Sequence, residues 1–262
     1  MLVGVPGETS PDETRVALVP SDLPLLKKAG IQVLICKGAG LRAGYPDEAY
    51  TKGGANLAES NEEVYAAADL VARVRSLGAS ADGREDIGRM KEGQVLVAFC
   101  DPLGEPAVLE EAARAKLRVF PMELVPRITR AQSMDALSSM ATVAGYKAVL
   151  IAAAALPKMF PMMMTAAGSI APAKVFVMGA GVAGLQAIAS ARRLGALVQA
   201  YDVRPAVKEE VESLGGRFVE IEVKAEDSAD EQGYAKAQGE EFYEKQRALL
   251  AKVVTESDIV IT

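Results

Sequence analysis

Val175-Phe176-Val177-Met178 runs without a break into Gly179-Ala180-Gly181-Val182-Ala183-Gly184, and this stretch restricts the fold more than any other segment of the chain. Four apolar residues, two of them valine, read as a short buried strand. Helix formers follow as far as Leu194, with Gly195 behind them as a stop. Glycines at this spacing let a strand turn directly into a helix. Gly179 allows the tight turn, Gly181 lets the backbone approach a pyrophosphate, and Gly184 lets helix and strand pack closely. A pyrophosphate held there, by backbone from Gly179, Ala180, Gly181, Val182, Ala183 and Gly184, faces the first-turn amides and the positive end of the helix dipole.

Such a turn alone is weak evidence of a ligand. Here a second strand, Leu197–Tyr201, ends at Asp202, 18 residues beyond Gly184. That is near the ~20-residue offset of a carboxylate that holds the adenosine ribose diol of a dinucleotide. Asp202, with Val203 and Arg204 behind it, makes the expected adenosine end of the site. A carboxylate accepts hydrogen bonds from the 2′- and 3′-hydroxyls of NAD and repels the 2′-phosphate of NADP. Arg204 pulls the other way, because an arginine can pair with that phosphate. With the carboxylate at the strand end dominating, the expected cofactor is NAD(H).

The rest of the chain supplies a frame for this unit. At 262 residues it exceeds one typical domain of about 150, so two are expected. Leu2–Val5, Ile31–Ile35, Leu70–Val74, Val95–Phe99 and Leu117–Phe120 read as strands. Ser21–Ala29, capped by Ser21, and Glu105–Ala115, with Pro106 in its first turn, read as helices between them. This alternation predicts a parallel sheet with covering helices. Residues 133–156 lack proline and read as one linking helix of roughly 36 Å. The expected architecture is α/β, with two Rossmann-like parallel-sheet domains (residues 1–132 and 157–262) joined by that helix. The methionines of Met159-Phe160-Pro161-Met162-Met163-Met164 read as pliable core or interface packing rather than as a soft metal site.

Composition excludes several chemistries. The chain has no histidine, so histidine-based triads, a histidine general base and His-ligated zinc are ruled out. Cys36 and Cys100 have no metal spacing and suit a reducing cytosol. No metal is expected. A net charge of −6 gives no footprint for nucleic acid. The first residues carry no basic flank or apolar core of a signal peptide. The apolar run Ala148–Leu156 stops at Pro157, short of the ~20 residues of a membrane span. The chain therefore reads as soluble.

Arg127 to Ser139 gathers polar groups where the linking helix begins. Asp135 and Ser138 are three apart, which predicts one helical face, with Gln132 just upstream. Two arginines beside an acid and an amide can hold a nicotinamide carboxamide and ribose. They fit a capping cluster for the helix start equally well.

Several blocks together carry a family likeness. They are Gly4-Val5-Pro6-Gly7-Glu8 with Glu13-Thr14-Arg15-Val16-Ala17, Arg127 to Ser139 with Ala144-Gly145-Tyr146, the turn Gly179–Gly184, and Gly233-Tyr234-Ala235-Lys236. Over essentially its whole length the chain resembles the NAD(H)-binding alpha subunit of proton-translocating NAD(P) transhydrogenase and, more distantly, alanine dehydrogenase. The resemblance implies two domains flanking a nucleotide cleft, a homodimer, and NADP(H) held on a partner subunit. It further implies membrane-spanning partner subunits, which would hold a cytoplasmic chain against the inner face of the membrane. Arg127, Asp135 and Ser138 would contact the nicotinamide end, with Gln132 reaching toward the partner's NADP(H). Arg127, Gln132 and Asp135 would then serve hydride transfer itself, in a Re/Si-specific reaction that needs the partner subunits. Gly233 and Tyr234 would lie on a loop closing over the nucleotide.

The missing histidine separates the relatives chemically. Alanine dehydrogenases use a histidine and a lysine to handle the proton and the carboxylate of their substrate. At the corresponding places this chain has Ala98-Phe99-Cys100-Asp101 and Arg73-Val74-Arg75. Hydride transfer between two nicotinamides moves no proton at the reacting carbons and needs only approach and orientation. Transhydrogenation is therefore the expected activity, with an alanine dehydrogenase-type enzyme or a non-catalytic NAD-binding regulatory subunit as alternatives. Family members continue beyond the position of Thr262, so a remainder completing the second sheet is expected.

Overall fold

The computed structural model describes residues 1–220 and 240–262, for 240–242 the backbone only. It divides into two compact units, Met1–Asp135 and Ala136–Thr262. The first contains β1 (Leu2–Val5), α1 (Leu23–Lys28), β2 (Gln32–Cys36), α2 (Asp47–Gly53), β3 (Asn56–Ala58) and α3 (Asn61–Ala67). It continues with β4 (Leu70–Arg75), α4 (Glu85–Arg89), β5 (Val95–Phe99), α5 (Pro106–Arg114) and β6 (Arg118–Pro121). Its strands are all parallel, in the order β3-β2-β1-β4-β5-β6. That is a complete doubly wound order, with its reversal between β1 and β4.

Alternation along β2 shows how both faces are covered. Val33 and Ile35 pack with Leu23 of α1 and Tyr50 of α2, whereas Leu34 packs with Val64 of α3. Further along the sheet, Val71, Leu96 and Ala98 join Tyr65 and Val108 in a second core. Burial on both faces makes these strands continuous apolar runs, which is why they are legible in the sequence. The start of α1 differs from expectation. Pro20–Asp22 forms a 3₁₀ turn whose third residue, Asp22, reaches back through Oδ2 to the Val19 N–H at 3.1 Å; Asp22 rather than Ser21 is then the residue before α1, without a side-chain cap bond to it.

The second unit begins with α6 (Ala136–Ala155) and a hairpin of β7 (Met163–Thr165) and β8 (Gly168–Ile170). It goes on through β9 (Lys174–Met178), α7 (Val182–Arg193), β10 (Leu197–Tyr201), α8 (Lys208–Ser213), β11 (Arg217–Phe218), α9 (Glu240–Thr255) and β12 (Ile259–Ile261). Its parallel sheet has the order β11-β10-β9-β12. Val175 and Val177 of β9 bury with Ala187 and Ile188 of α7 and Val149 of α6. Phe176 points the other way, into Tyr201, Leu250 and Val253.

Three expectations are corrected in this unit. The helix starts at Ala136, not Ser133, because Thr129–Met134 is a 3₁₀ segment and Asp135 (φ −75°, ψ 83°) is not helical. By length and composition the 20 residues of α6 suffice to cross a membrane, more than the short run read from the sequence. Gly145 and Val149 are nevertheless buried in the helix, Val149 in the core of this unit. The core alternative for the methionine run does not hold, since β7 and β8 are exposed along their length, with Met164 79% accessible, which leaves its interface alternative standing.

Candidate nucleotide-binding site

The glycine turn has the geometry its spacing predicts. Gly179 sits at φ +94°, a conformation that a side chain disfavours, and donates its N–H to the Tyr201 carbonyl at 2.7 Å. This bond ties the end of β9 to the end of β10. A Cβ on Gly184 would lie 1.8 Å from the Gly179 carbonyl oxygen, so only glycine lets α7 start this close to the strand. Around Gly181, the residue before α7, a Cβ would meet nothing within 4 Å. The turn is thus tight on its protein side and open over Gly181. Above it stand the first-turn amides of α7, which have no carbonyl partners within the helix. A pyrophosphate fits this cradle.

Asp202 stands at the end of β10, as the sequence places it, but it is not a bare carboxylate. It is buried, and its Oδ2 accepts the Ala180 N–H at 2.7 Å, locking the second residue of the turn. Arg204 supplies three more donors: its backbone N–H and Nε reach Oδ1 at 2.9 Å each, and Nη2 reaches Oδ2 at 3.0 Å. Burial by itself would push the Asp202 carboxyl up. The Arg204 side chain and the two amides outweigh it and hold the group below its ordinary 3.8. Val203 packs partly buried against Phe176 and Tyr201, so its contribution to the site is main-chain and apolar.

The polar cluster divides between the units. Arg127, Gln132 and Asp135 belong to the first, and Ser138 lies in the first turn of α6 in the second. Arg127 Nε lies 3.8 Å from Asp135 Oδ2. Asp135 donates its own N–H to the Gln132 carbonyl at 3.2 Å, and the Gln132 side chain is exposed. Because Asp135 precedes the helix, it does not share a helical face with Ser138 as the three-residue spacing suggested. Ala131, buried at the centre of the 3₁₀ segment, anchors it. Gly233 and Tyr234 lie outside the described residues.

The first unit holds a network that sequence reasoning missed. The Arg73 guanidinium is buried, 2.5 Å from Asp86 and 2.9 Å from the Thr9 hydroxyl. Asp86 also accepts from Tyr65 at 2.8 Å and Ser76 at 2.6 Å. Glu8 completes it, 3.7 Å from Arg73, while its carboxylate accepts the Val74 and Arg75 N–H groups at 2.7 and 3.3 Å. Alongside is a cleft of about 430 Å³, lined among others by Gly7, Arg15, Cys36, Lys37 and Arg42. Its cations are engaged by the chain itself. Arg15 forks onto Glu13 at 2.6 and 2.7 Å, Lys37 pairs with Glu59, and Arg42 bonds the Ser10 and Pro11 carbonyls. Burial pushes the nearby Cys100 thiol up to about 12.

A complete doubly wound sheet, followed by a second parallel sheet with a glycine cradle and a strand-end carboxylate, defines a two-domain α/β protein of the dinucleotide-binding class. Residues 4–144 match the family model described as "Alanine dehydrogenase/PNT, N-terminal domain", and residues 148–262 match its C-terminal counterpart. The whole chain is 44% identical to an NAD(P) transhydrogenase alpha-subunit polypeptide of Rhodospirillum rubrum, spanning 68% of that protein. Alanine dehydrogenase of Methanococcus maripaludis is 30% identical over 78% of this chain and 53% of its own. The crystal structure of transhydrogenase from Sinorhizobium meliloti superposes with a TM-score of 0.84 at 42% identity, over 99% of this chain and 68% of that one. The chain belongs to the alanine dehydrogenase/transhydrogenase family, among its NAD(P) transhydrogenase alpha subunits.

Proposed function

We propose that this chain is the NAD(H)-binding component of a proton-translocating NAD(P) transhydrogenase and exchanges hydride with NADP(H) held on a partner subunit. The glycine cradle would hold the pyrophosphate, and Asp202 the adenosine ribose. Arg127, Gln132, Asp135 and Ser138 would orient the nicotinamide end. When bound, the nicotinamide ring supplies the hydride. This chain's residues only position it, so no acid or base from the protein is required. The partners would be a second copy of this chain and membrane-spanning subunits bearing the NADP(H) domain. Such an assembly keeps the chain on the cytoplasmic face of the membrane.

The observation that carries this reading over amino-acid dehydrogenation is the state of residues 73–75 and 100. The arginines found where a dehydrogenase has its carboxylate-binding lysine are committed elsewhere: Arg73 to Asp86, and Arg75, through Nε, to the Ala79 carbonyl at 2.6 Å. The Cys100 thiol, raised to about 12, stays protonated at neutral pH. The test follows NADH oxidation by the complete subunit, first with pyruvate and ammonia, then with an NADP⁺-loaded partner. Turnover is expected only in the second assay. Turnover in the first would establish a dehydrogenase, and silence in both with tight NADH binding would establish a regulatory subunit.

A further inference from the structure

Asp202 has about four acceptor positions, two on each carboxylate oxygen. All four are taken. Oδ1 receives the Arg204 backbone N–H and Nε, and Oδ2 receives the Ala180 N–H and Arg204 Nη2. Two of these donors are main-chain groups, fixed by the glycine turn and by the segment that follows β10. The other two are the fork of one side chain, placing one donor on each oxygen. A ribose diol also presents two hydroxyl donors, one for each oxygen. The Arg204 fork therefore occupies the two positions that a diol needs, and the two cannot be present together.

We infer that Arg204 is a built-in competitor for the ribose-binding carboxylate and sets how strongly NAD(H) is preferred over NADP(H). The inference rests on the nucleotide-site reading above and goes beyond it, because it assigns the selectivity to the pair rather than to Asp202. For NAD(H), the Arg204 side chain must leave Asp202 before the diol can bind, which weakens binding. For NADP(H), the 2′-phosphate has no donor to offer Asp202 and is repelled by its charge. Arg204, still on the carboxylate, offsets that charge and keeps a positive group beside the phosphate. The arginine thus acts against the carboxylate in both cases, and the chain discriminates less sharply than a strand-end aspartate alone would. The pair is largely shielded from salt, with side-chain exposures of 22% for Arg204 and 7% for Asp202.

The experiment is a fluorescence titration of NADH and NADPH against the parent chain, Arg204→Ala and Arg204→Lys, with thermal melts to confirm folding. In Arg204→Ala the NADH Kd should fall and the NADPH Kd rise, widening their ratio on the order of tenfold or more. Arg204→Lys keeps the charge but can fill only one of the two positions, so its ratio should lie between. The lysine variant also carries the test if the alanine variant does not fold. An unchanged ratio, or NADH weakened as much as NADPH, overturns the inference while leaving the site intact. A parent chain that binds neither nucleotide overturns the nucleotide-site reading, and the inference with it.

Discussion

Gly145 of α6 stands directly over the main chain of Ala183 in α7, so close that a Cβ at position 145 would lie 2.0 Å from the Ala183 carbonyl oxygen. The long helix therefore leans on the same turn that presents amides at the glycine cradle. Gly145→Ala must push α6 and α7 apart. Overpacking of this kind costs about 1–3 kcal/mol. Urea unfolding should register that loss, and an NADH titration should show weaker binding in parallel. A variant with parental stability and affinity would mean that α6 does not hold the turn in place.

The glycines of the turn should respond differently to substitution. A Cβ on Gly184 collides with the Gly179 carbonyl, whereas one on Gly181 enters open space. Gly184→Ala should unfold or strongly destabilise the second unit. Gly181→Ala should leave stability within about 0.5 kcal/mol, as for surface changes generally, yet weaken NADH binding by obstructing the approach to the backbone. Thermal melts paired with NADH titrations separate the two. Undiminished binding by Gly181→Ala would move the pyrophosphate elsewhere.

Asp202 makes the second unit sensitive to acid. Its carboxyl is held below 3.8. Its pairing therefore contributes stability that is present above that value and is lost as pH falls through the folded value. Asp202→Asn should unfold at lower urea than the parent at about pH 6, and the gap should narrow as the pH drops below 3.8. A gap that stays constant with pH would show that the ionised form is not what stabilises. In the same variant NADH affinity should fall on the order of tenfold, the worth of a charge-assisted hydrogen bond.

The first unit has its own vulnerable point. Asp86 is fully buried and accepts from Arg73, Tyr65 and Ser76. Asp86→Ala leaves the Arg73 charge buried with less compensation, and breaking a buried pair in this way costs about 3–5 kcal/mol. Urea unfolding should show a loss of that size. A loss below about 1 kcal/mol would mean that Glu8 and Thr9 suffice to hold the guanidinium.

Gln132 is exposed on the 3₁₀ segment before α6. If it reaches toward the partner's nucleotide, Gln132→Ala should slow hydride transfer in stopped-flow mixing with an NADP⁺-loaded partner and leave NADH affinity near parental. That pattern marks an interaction used in the reactive geometry rather than in binding. Lost NADH binding with normal transfer would reverse the assignment.

The two sheets and the turn are legible in the sequence because each declares itself locally, the turn through fixed spacing and the strands through runs buried on both faces. β3 is not. It has three residues, opens on Asn56, and is an edge strand recognisable only by its pairing with β2. The exposed hairpin misleads because methionine is apolar in composition, and two strands of three residues are too short to show a period. Spacing alone puts Asp135 on a helical face, although the 3₁₀ segment ends there and breaks the helical period. The fork of Arg204 on Asp202 and the Arg73–Asp86 pair lie beyond sequence reasoning for the same reason. Residues two and thirteen positions apart meet only after the backbone around them has turned.

Glu8 gives the first sheet a different fate from the second. Its carboxylate accepts the amides of Val74 and Arg75 beside the reversal between β1 and β4, the place where a doubly wound sheet ordinarily receives its ligand. A carboxylate belonging to the chain is already seated there; Pro6, two residues before it, has no N–H to offer, and that of Gly7 is bonded to Asn61 Oδ1 at 2.7 Å. A glutamate of the chain itself thus stands where the first sheet would take a ligand, so a saturation titration should reach its plateau at one equivalent of dinucleotide per polypeptide, and a plateau at two would mean that Glu8 does not keep the first sheet from binding.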